Sequence, residues 1–290
     1  QNLPKDMEEG ISLFAIFGGL DEPINSDEPL EMLLEKHILA PIDKHREQLL
    51  APLEYNPLYS RLLRAVSIGD RRLDSAYRRA RIGKERGKEA FDFLRYCGYL
   101  YLERSRETPL VKSHPKQRFK KEIEHHKISH KLRFSSPFFR FWFAFVEPFY
   151  DTIQSGNYAP FFKNFHAHYN EFVGFTFEEL CDLYIHEVFA KRFDTVVIDS
   201  GSYWDREIEI DLLSETYSGE TWIGECKWTN HKVNKKEFHK LQEKCTKLSL
   251  NPDKILLFTK RGFSNELTLL KNPHLYLFYA DDLEVLAHRL

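Results

Sequence analysis

The sequence predicts an α+β protein in two domains, a helical N-terminal half and a C-terminal half with a mixed central sheet. Three observations predict it. Through the first hundred residues, apolar side chains recur at helical spacing between Gly- and Pro-marked breaks. From about Asn170, short runs rich in Ile, Leu, Trp and Thr alternate with helical stretches. Charge follows the same division: Arg61 to Phe134 carries 21 Lys and Arg against 9 Asp and Glu, and the rest of the chain carries 21 against 35. A basic block beside an acidic remainder points to a polyanion partner, DNA first; the competing reading is a solvated helical surface.

Taken in order, residues 1–54 read as a helical lead segment, punctuated by Gly18-Gly19 and Asp21-Glu22-Pro23 and limited by Pro41 and Pro52. Residues 55–134 have the rhythm of a winged helix-turn-helix. Helices are expected at Pro57 to Ile68, Leu73 to Ala80 and Glu85 to Cys97, then a short wing strand at Tyr99 to Leu102. Arg71, Arg72, Arg78, Arg79, Arg81, Lys84, Arg86 and Lys88 crowd the second helix and the turn after it, where they would contact phosphates. Winged helices also dock proteins, so both partner classes stay open. His125, His126 and His130 lack a carboxylate or Cys at ligand spacing and read as a loop or wing, not a metal centre. Residues 135–169 form aromatic connecting helices. Their densest run, Ser135 to Tyr150, reads as core packing between the two halves before it reads as a base-stacking platform.

Residues 170–290 give a helix at Glu171 to Phe189 and strands at Thr195 to Ser200, Arg206 to Thr216 and Glu220 to Trp228. A Lys-rich helix follows at Asn234 to Leu248, then strands at Lys254 to Thr259 and His274 to Ala280, and a closing helix at Asp281 to Arg289. With a strand period of two, Glu225 and Lys227 project from one face, as do Glu209 and Asp211. Charges inside apolar strands are costly unless paired or metal-bound. The pattern therefore suggests a Mg²⁺ or Mn²⁺ site beside a phosphodiester; the competing reading is a strand-edge ion pair with Lys227. Glu209 replaces Asp211 if the register differs. Trp204 and Trp228 read as packing, and Cys226 as a small core residue on the opposite face. Lys232, Lys235, Lys236, His239 and Lys240 would line a phosphate track or a solvated helix face.

Other classes are excluded or disfavoured. Four cysteines without Cys-x-x-Cys spacing argue against a disulfide scaffold or zinc ribbon and fit a reducing compartment, so a cytoplasmic location is expected. The most apolar run, Pro137 to Tyr150, is interrupted by Arg140, Glu147 and Pro148, so no membrane partner is expected. No Walker-type phosphate loop occurs, which excludes that kind of ATPase site. The chain starts at Gln1, as a fragment or processed product would.

The element order with Asp211, Glu225-x-Lys227 and Glu178 in GFTFEEL resembles the restriction-endonuclease-like PD-(D/E)XK nucleases. The resemblance implies that Asp211 and Glu225 ligate Mg²⁺, with Glu178 helping directly or through water, while Lys227 orients or deprotonates the attacking water. The product would be a 5′-phosphate end. Nucleases of this fold often cut as homodimers, although no dimer helix is marked here. A narrower resemblance runs through IFGG, LRFSSPFFRFWFAFVEP, GFTFEEL, EIDLL and GECKW. These segments look like the C-terminal half of archaeal-type P-loop ATPases, whose ATPase module is absent from this sequence. The resemblance implies an ATPase partner or a missing ATPase module. The function expected is a metal-dependent DNA endonuclease; the alternative is a non-catalytic DNA-binding or partner-regulating module with a nuclease-derived fold.

Overall fold

A computed structural model describes residues 6–108, 114 and 127–287, so His125 and His126 lie outside the described residues. The chain is α+β and divides into two compact units, one of residues 1–103 with 130–176, the other of 104–129 with 177–290.

The first unit is mainly helical. Asp6 caps helix α1 (Met7–Phe17) by accepting from the Glu9 N–H, and two short helical pieces (Leu30–Leu34 and Ile42–Leu50) follow. Asn56 and Pro57 start Pro57–Ser67, the first of three consecutive helices. Its buried stripe includes Leu58, Leu62, Leu63 and Val66, at helical spacing. Leu73–Arg79 and Lys84–Tyr96 complete the trio. Strand β1 (Leu100–Glu103) then pairs antiparallel with β2 (Lys131–Phe134). Arg133 forks onto Glu103 with two bonds of 2.7 Å across that pair. Arg72, just ahead of Leu73–Arg79, forms a bridge to Lys131.

The aromatic run forms Pro137–Phe141 and a π-helical turn, Trp142–Val146. Phe141, Trp142, Phe143 and Val146 are fully buried. Phe141 and Phe145 meet Phe165 and Phe172 of the long helix Ala159–Tyr184 edge-on, at 5.1–6.1 Å between centroids. These rings are core, and the base-stacking reading of the run has no exposed rings here to rest on. The long helix starts twelve residues before the expected Glu171.

The second unit holds a five-stranded sheet, β3 (Val197–Trp204), β4 (Glu209–Thr216), β5 (Thr221–Lys227), β6 (Lys254–Thr259) and β7 (Leu275–Tyr279), in that spatial order. The first two pairings are antiparallel and the last two parallel, so the sheet is mixed as expected. The parallel β5–β6 pair requires a crossover, and the helix Lys235–Leu248 supplies it. Asn234 caps that helix through the Lys236 N–H. Phe238, Leu241 and Cys245 of the helix pack on Leu213, Ile223, Ile255 and Leu257 of the sheet. Gly224 of β5 has no room for a side chain: a Cβ would meet Leu212 Cδ1 at 3.0 Å and the Leu256 carbonyl at 3.1 Å. Segment 104–108 belongs to this unit through Arg106, which bonds the Leu213 carbonyl and pairs with Asp199 (2.6 Å) and Glu215 (3.4 Å). Among the described residues no helix is long and apolar enough to cross a membrane.

Candidate active site

The β4–β5 register matches Leu213 with Ile223 and Leu212 with Gly224. Continued by one residue, it sets Asp211 opposite Glu225 on the same face of the sheet. Like charges directly opposite across strands are destabilising, and the surroundings answer this one in three ways. The Cys226 N–H donates to Asp211 Oδ2 at 2.8 Å. Lys227 Nζ donates to Glu225 Oε1 at 2.6 Å. Lys244 Nζ, from the crossover helix, donates to Glu225 Oε2 at 2.8 Å. Glu225 is 7% exposed, and each of its oxygens accepts from one of those two ammonium groups.

The electrostatics record the crowding. Burial first, and the Glu225 charge second, push the Asp211 carboxyl up to about 6; Lys227, the Cys226 N–H and Lys244 act against that rise. Burial works to lower the Lys227 amine, but Glu225 and Asp211 outweigh it and hold the group above its ordinary value. Glu237, two turns before Lys244, is held below the ordinary carboxylate range, first by its bond to Lys240 and further by the charges of Lys227 and Lys244. Cys226 is buried on the other face, as read from the strand period, in thiol contact with buried Cys181. Burial raises both thiols, which makes them poor nucleophiles.

Two opposed carboxylates, one with its proton affinity raised by the other, are a donor set that accepts a hard divalent cation, with water and phosphate oxygens completing the shell. The fit is to a two-carboxylate site. Among the described residues no cluster of three His, Cys, Asp or Glu side chains is placed to hold a metal. The charge of Glu178 is felt at the Cys181 and Cys226 thiols, alongside that of Asp211. Glu209 is exposed at the start of β4, opposite Trp204, and is not the residue facing Glu225.

The remaining expected site residues fall into two groups. Lys235 and Lys236 open the crossover helix, with Lys232, Lys236, His239 and Lys240 exposed; Lys240 pairs with Glu237 at 2.8 Å. Trp204 is buried with its indole N–H on the Ser129 carbonyl, and Trp228 meets Phe177 at 5.1 Å with the rings tilted by 49°, so both are packing residues. In the first unit Arg78, Arg79, Arg81, Lys84, Arg86 and Lys88 are exposed. Arg71 is turned inward: its guanidinium lies 3.6 Å over the Phe175 ring and 3.8 Å from Glu103, which takes it out of the expected phosphate contacts. Arg72 is half-buried at its bridge to Lys131.

Lys244 was not singled out by the sequence. Its signal is faint but physical: it lies three residues after buried Leu241 and four before half-buried Leu248, at the edge of the face turned toward the sheet.

A family model, DUF234, described as archaea bacterial proteins of unknown function, matches residues 142–241. The match contains Asp211, Glu225 and Lys227 and ends before Lys244. No curated protein and no solved structure matches the chain.

Proposed function

We propose that the chain is a metal-dependent DNA endonuclease with a restriction-endonuclease-like C-terminal domain and a winged-helix N-terminal reader. The observation that carries the reading is the convergence of Asp211 and Glu225 on adjacent strands with Lys227 bonded to the second of them. Support for the fold comes from strand order: two antiparallel pairings, then a helical crossover into a parallel one, with the acids on the second and third strands. Support for the winged helix comes from three successive helices followed by an antiparallel pair, with Arg72 bridged to its second strand. The proposal extends to a cytoplasmic setting, to a homodimer and to an ATPase partner.

Mg²⁺ or Mn²⁺ held by Asp211 and Glu225 would supply positive charge beside the phosphodiester and lower the pKa of a bound water. Lys227 is held charged by its two carboxylates, so at neutral pH it serves as a fixed cation rather than a general base. Its ammonium would orient the attacking water and offset the charge growing on the phosphate. The test is incubation of supercoiled plasmid with Mg²⁺ or Mn²⁺. Wild type is expected to nick or linearise it, and Lys227→Ala to be slower by about a hundredfold or more. Equal cutting by both, or none by either on any DNA form, removes the proposal.

One observation favours a second reading, a non-catalytic DNA-binding module: both Glu225 oxygens are already occupied by lysines. It predicts DNA binding without cleavage under every metal condition. The two readings share the DNA contact. Replacing Arg78 and Arg79 together with Ala should weaken duplex binding and flatten the slope of log K against log salt by about 1–2. An unchanged slope in filter binding would remove the N-terminal unit as the DNA reader.

A further inference from the structure

Glu225 has two carboxylate oxygens, and each accepts from a different ammonium, Oε1 from Lys227 and Oε2 from Lys244. A Mg²⁺ ion bonds carboxylate oxygen at about 2.0–2.1 Å. A metal at that length and an ammonium on the same oxygen would stand about 4 Å apart, and in a buried site two cations at that range repel strongly. Metal ligation by Glu225 therefore favours the release of one lysine.

The two lysines are not equivalent. Lys227 sits on the same strand as Glu225 and feels the charge of Asp211 as well, so two carboxylates hold it at the site. Lys244 approaches from the crossover helix, and Glu225 is the acid it bonds. It also has a second acid within electrostatic reach, Glu237, seven residues earlier on the same helix face. Two carboxylates and two amines thus meet in the metal-free site.

We infer that Lys244 is the resident cation of this site, occupying the Glu225 oxygen that a divalent metal takes, and that metal entry displaces Lys244 toward Glu237. The inference rests on the metal-site reading given above. Lys244 is then a positioning residue that sets metal affinity, not a ligand. It keeps Glu225 oriented and neutralised until a metal arrives, and the displaced ammonium adds to the positive field met by a phosphodiester.

The experiment is a Mn²⁺ titration of the protein without nucleic acid, reading free Mn²⁺ by electron paramagnetic resonance. It compares wild type, Lys244→Met, Lys244→Gln, Lys244→Arg and Asp211→Asn, with a melting curve for each. Removing the competitor should tighten Mn²⁺ binding about tenfold in Lys244→Met and Lys244→Gln, the scale of one charge-assisted hydrogen bond. Lys244→Arg should stay near wild type, and Asp211→Asn should lose binding. Asp211-dependent binding that is equal or weaker in the folded charge-removing variant overturns the inference and leaves the metal site standing. Absence of Asp211-dependent binding in wild type and in the Lys244 variants overturns both.

Discussion

Asp211→Asn is expected to abolish metal-dependent plasmid cutting, by about a hundredfold at the least, while making the metal-free protein harder to unfold above pH 6. The two effects share one cause. The Asp211 carboxyl is raised from 3.8 to about 6, first by burial and then by Glu225 opposite it. A carboxyl whose folded pKa exceeds its unfolded value holds its proton more tightly in the fold. Its contribution to stability is complete below about pH 4, declines as pH rises and is gone above about 6, where the ionised group is a burden. Two units would correspond to about 3 kcal/mol; sharing with Glu225 and the two lysines makes about 1–2 kcal/mol the working figure. Thermal melts in EDTA should show Asp211→Asn above wild type at pH 7.5 and the two converging near pH 4.5. A variant less stable than wild type at pH 7.5 would mean that the Asp211 bond to the Cys226 N–H outweighs the repulsion, and that the acid is a structural anchor.

Trp222→Ala is expected to give the largest loss of stability in the second unit, about 3–5 kcal/mol. Trp222 lies on β5 three residues before Glu225 and faces the other side of the sheet, where it is fully buried. Phe189 meets it edge-on at 5.1 Å and Phe193 at 5.9 Å. Its indole N–H bonds Glu220 Oε2 at 2.8 Å, and the same oxygen holds Lys254, whose ammonium is also 5.1 Å from the ring centroid. Truncation removes an aromatic wall from beside the buried Lys254 ammonium and its half-exposed Glu220 partner, as well as leaving a cavity. Urea denaturation should show a lower midpoint at unchanged slope. Because Trp222 lies across the sheet from the charges, cutting by the folded fraction at low temperature should persist. A loss below about 1 kcal/mol would mean that the site collapses around the missing ring.

The strand pattern was legible because its determinants are local. Apolar alternation and β-branched residues mark β4, β5 and β6 to within about three residues, and period two put Glu225 with Lys227 and Cys226 behind them. What the sequence could not carry was tertiary. Lys244 is one lysine among five on its helix, and only the crossover geometry selects it. Arg71 counts as basic surface in any composition argument. It is drawn inward by Phe175, more than a hundred residues away, through a backbone at φ +60°. The start of the long helix was missed because Ala159 to Asn170 is rich in aromatic and His residues, which are indifferent helix formers; packing on the aromatic run decides it.

The route of the chain between its two units bears on how either could be prepared alone. The polypeptide passes from one to the other after residues 103, 129 and 176, so no single cut yields two whole units. A piece spanning 177–290 carries all five strands but not Arg106, the guanidinium that ties the Leu213 carbonyl to Asp199 and Glu215 on the β3–β4 pair. Shortened in that way, the sheet would keep its acids and lose the clasp at its antiparallel edge. Such edges recruit strands from neighbouring molecules. Self-association of that piece would then report the cut rather than a natural oligomer.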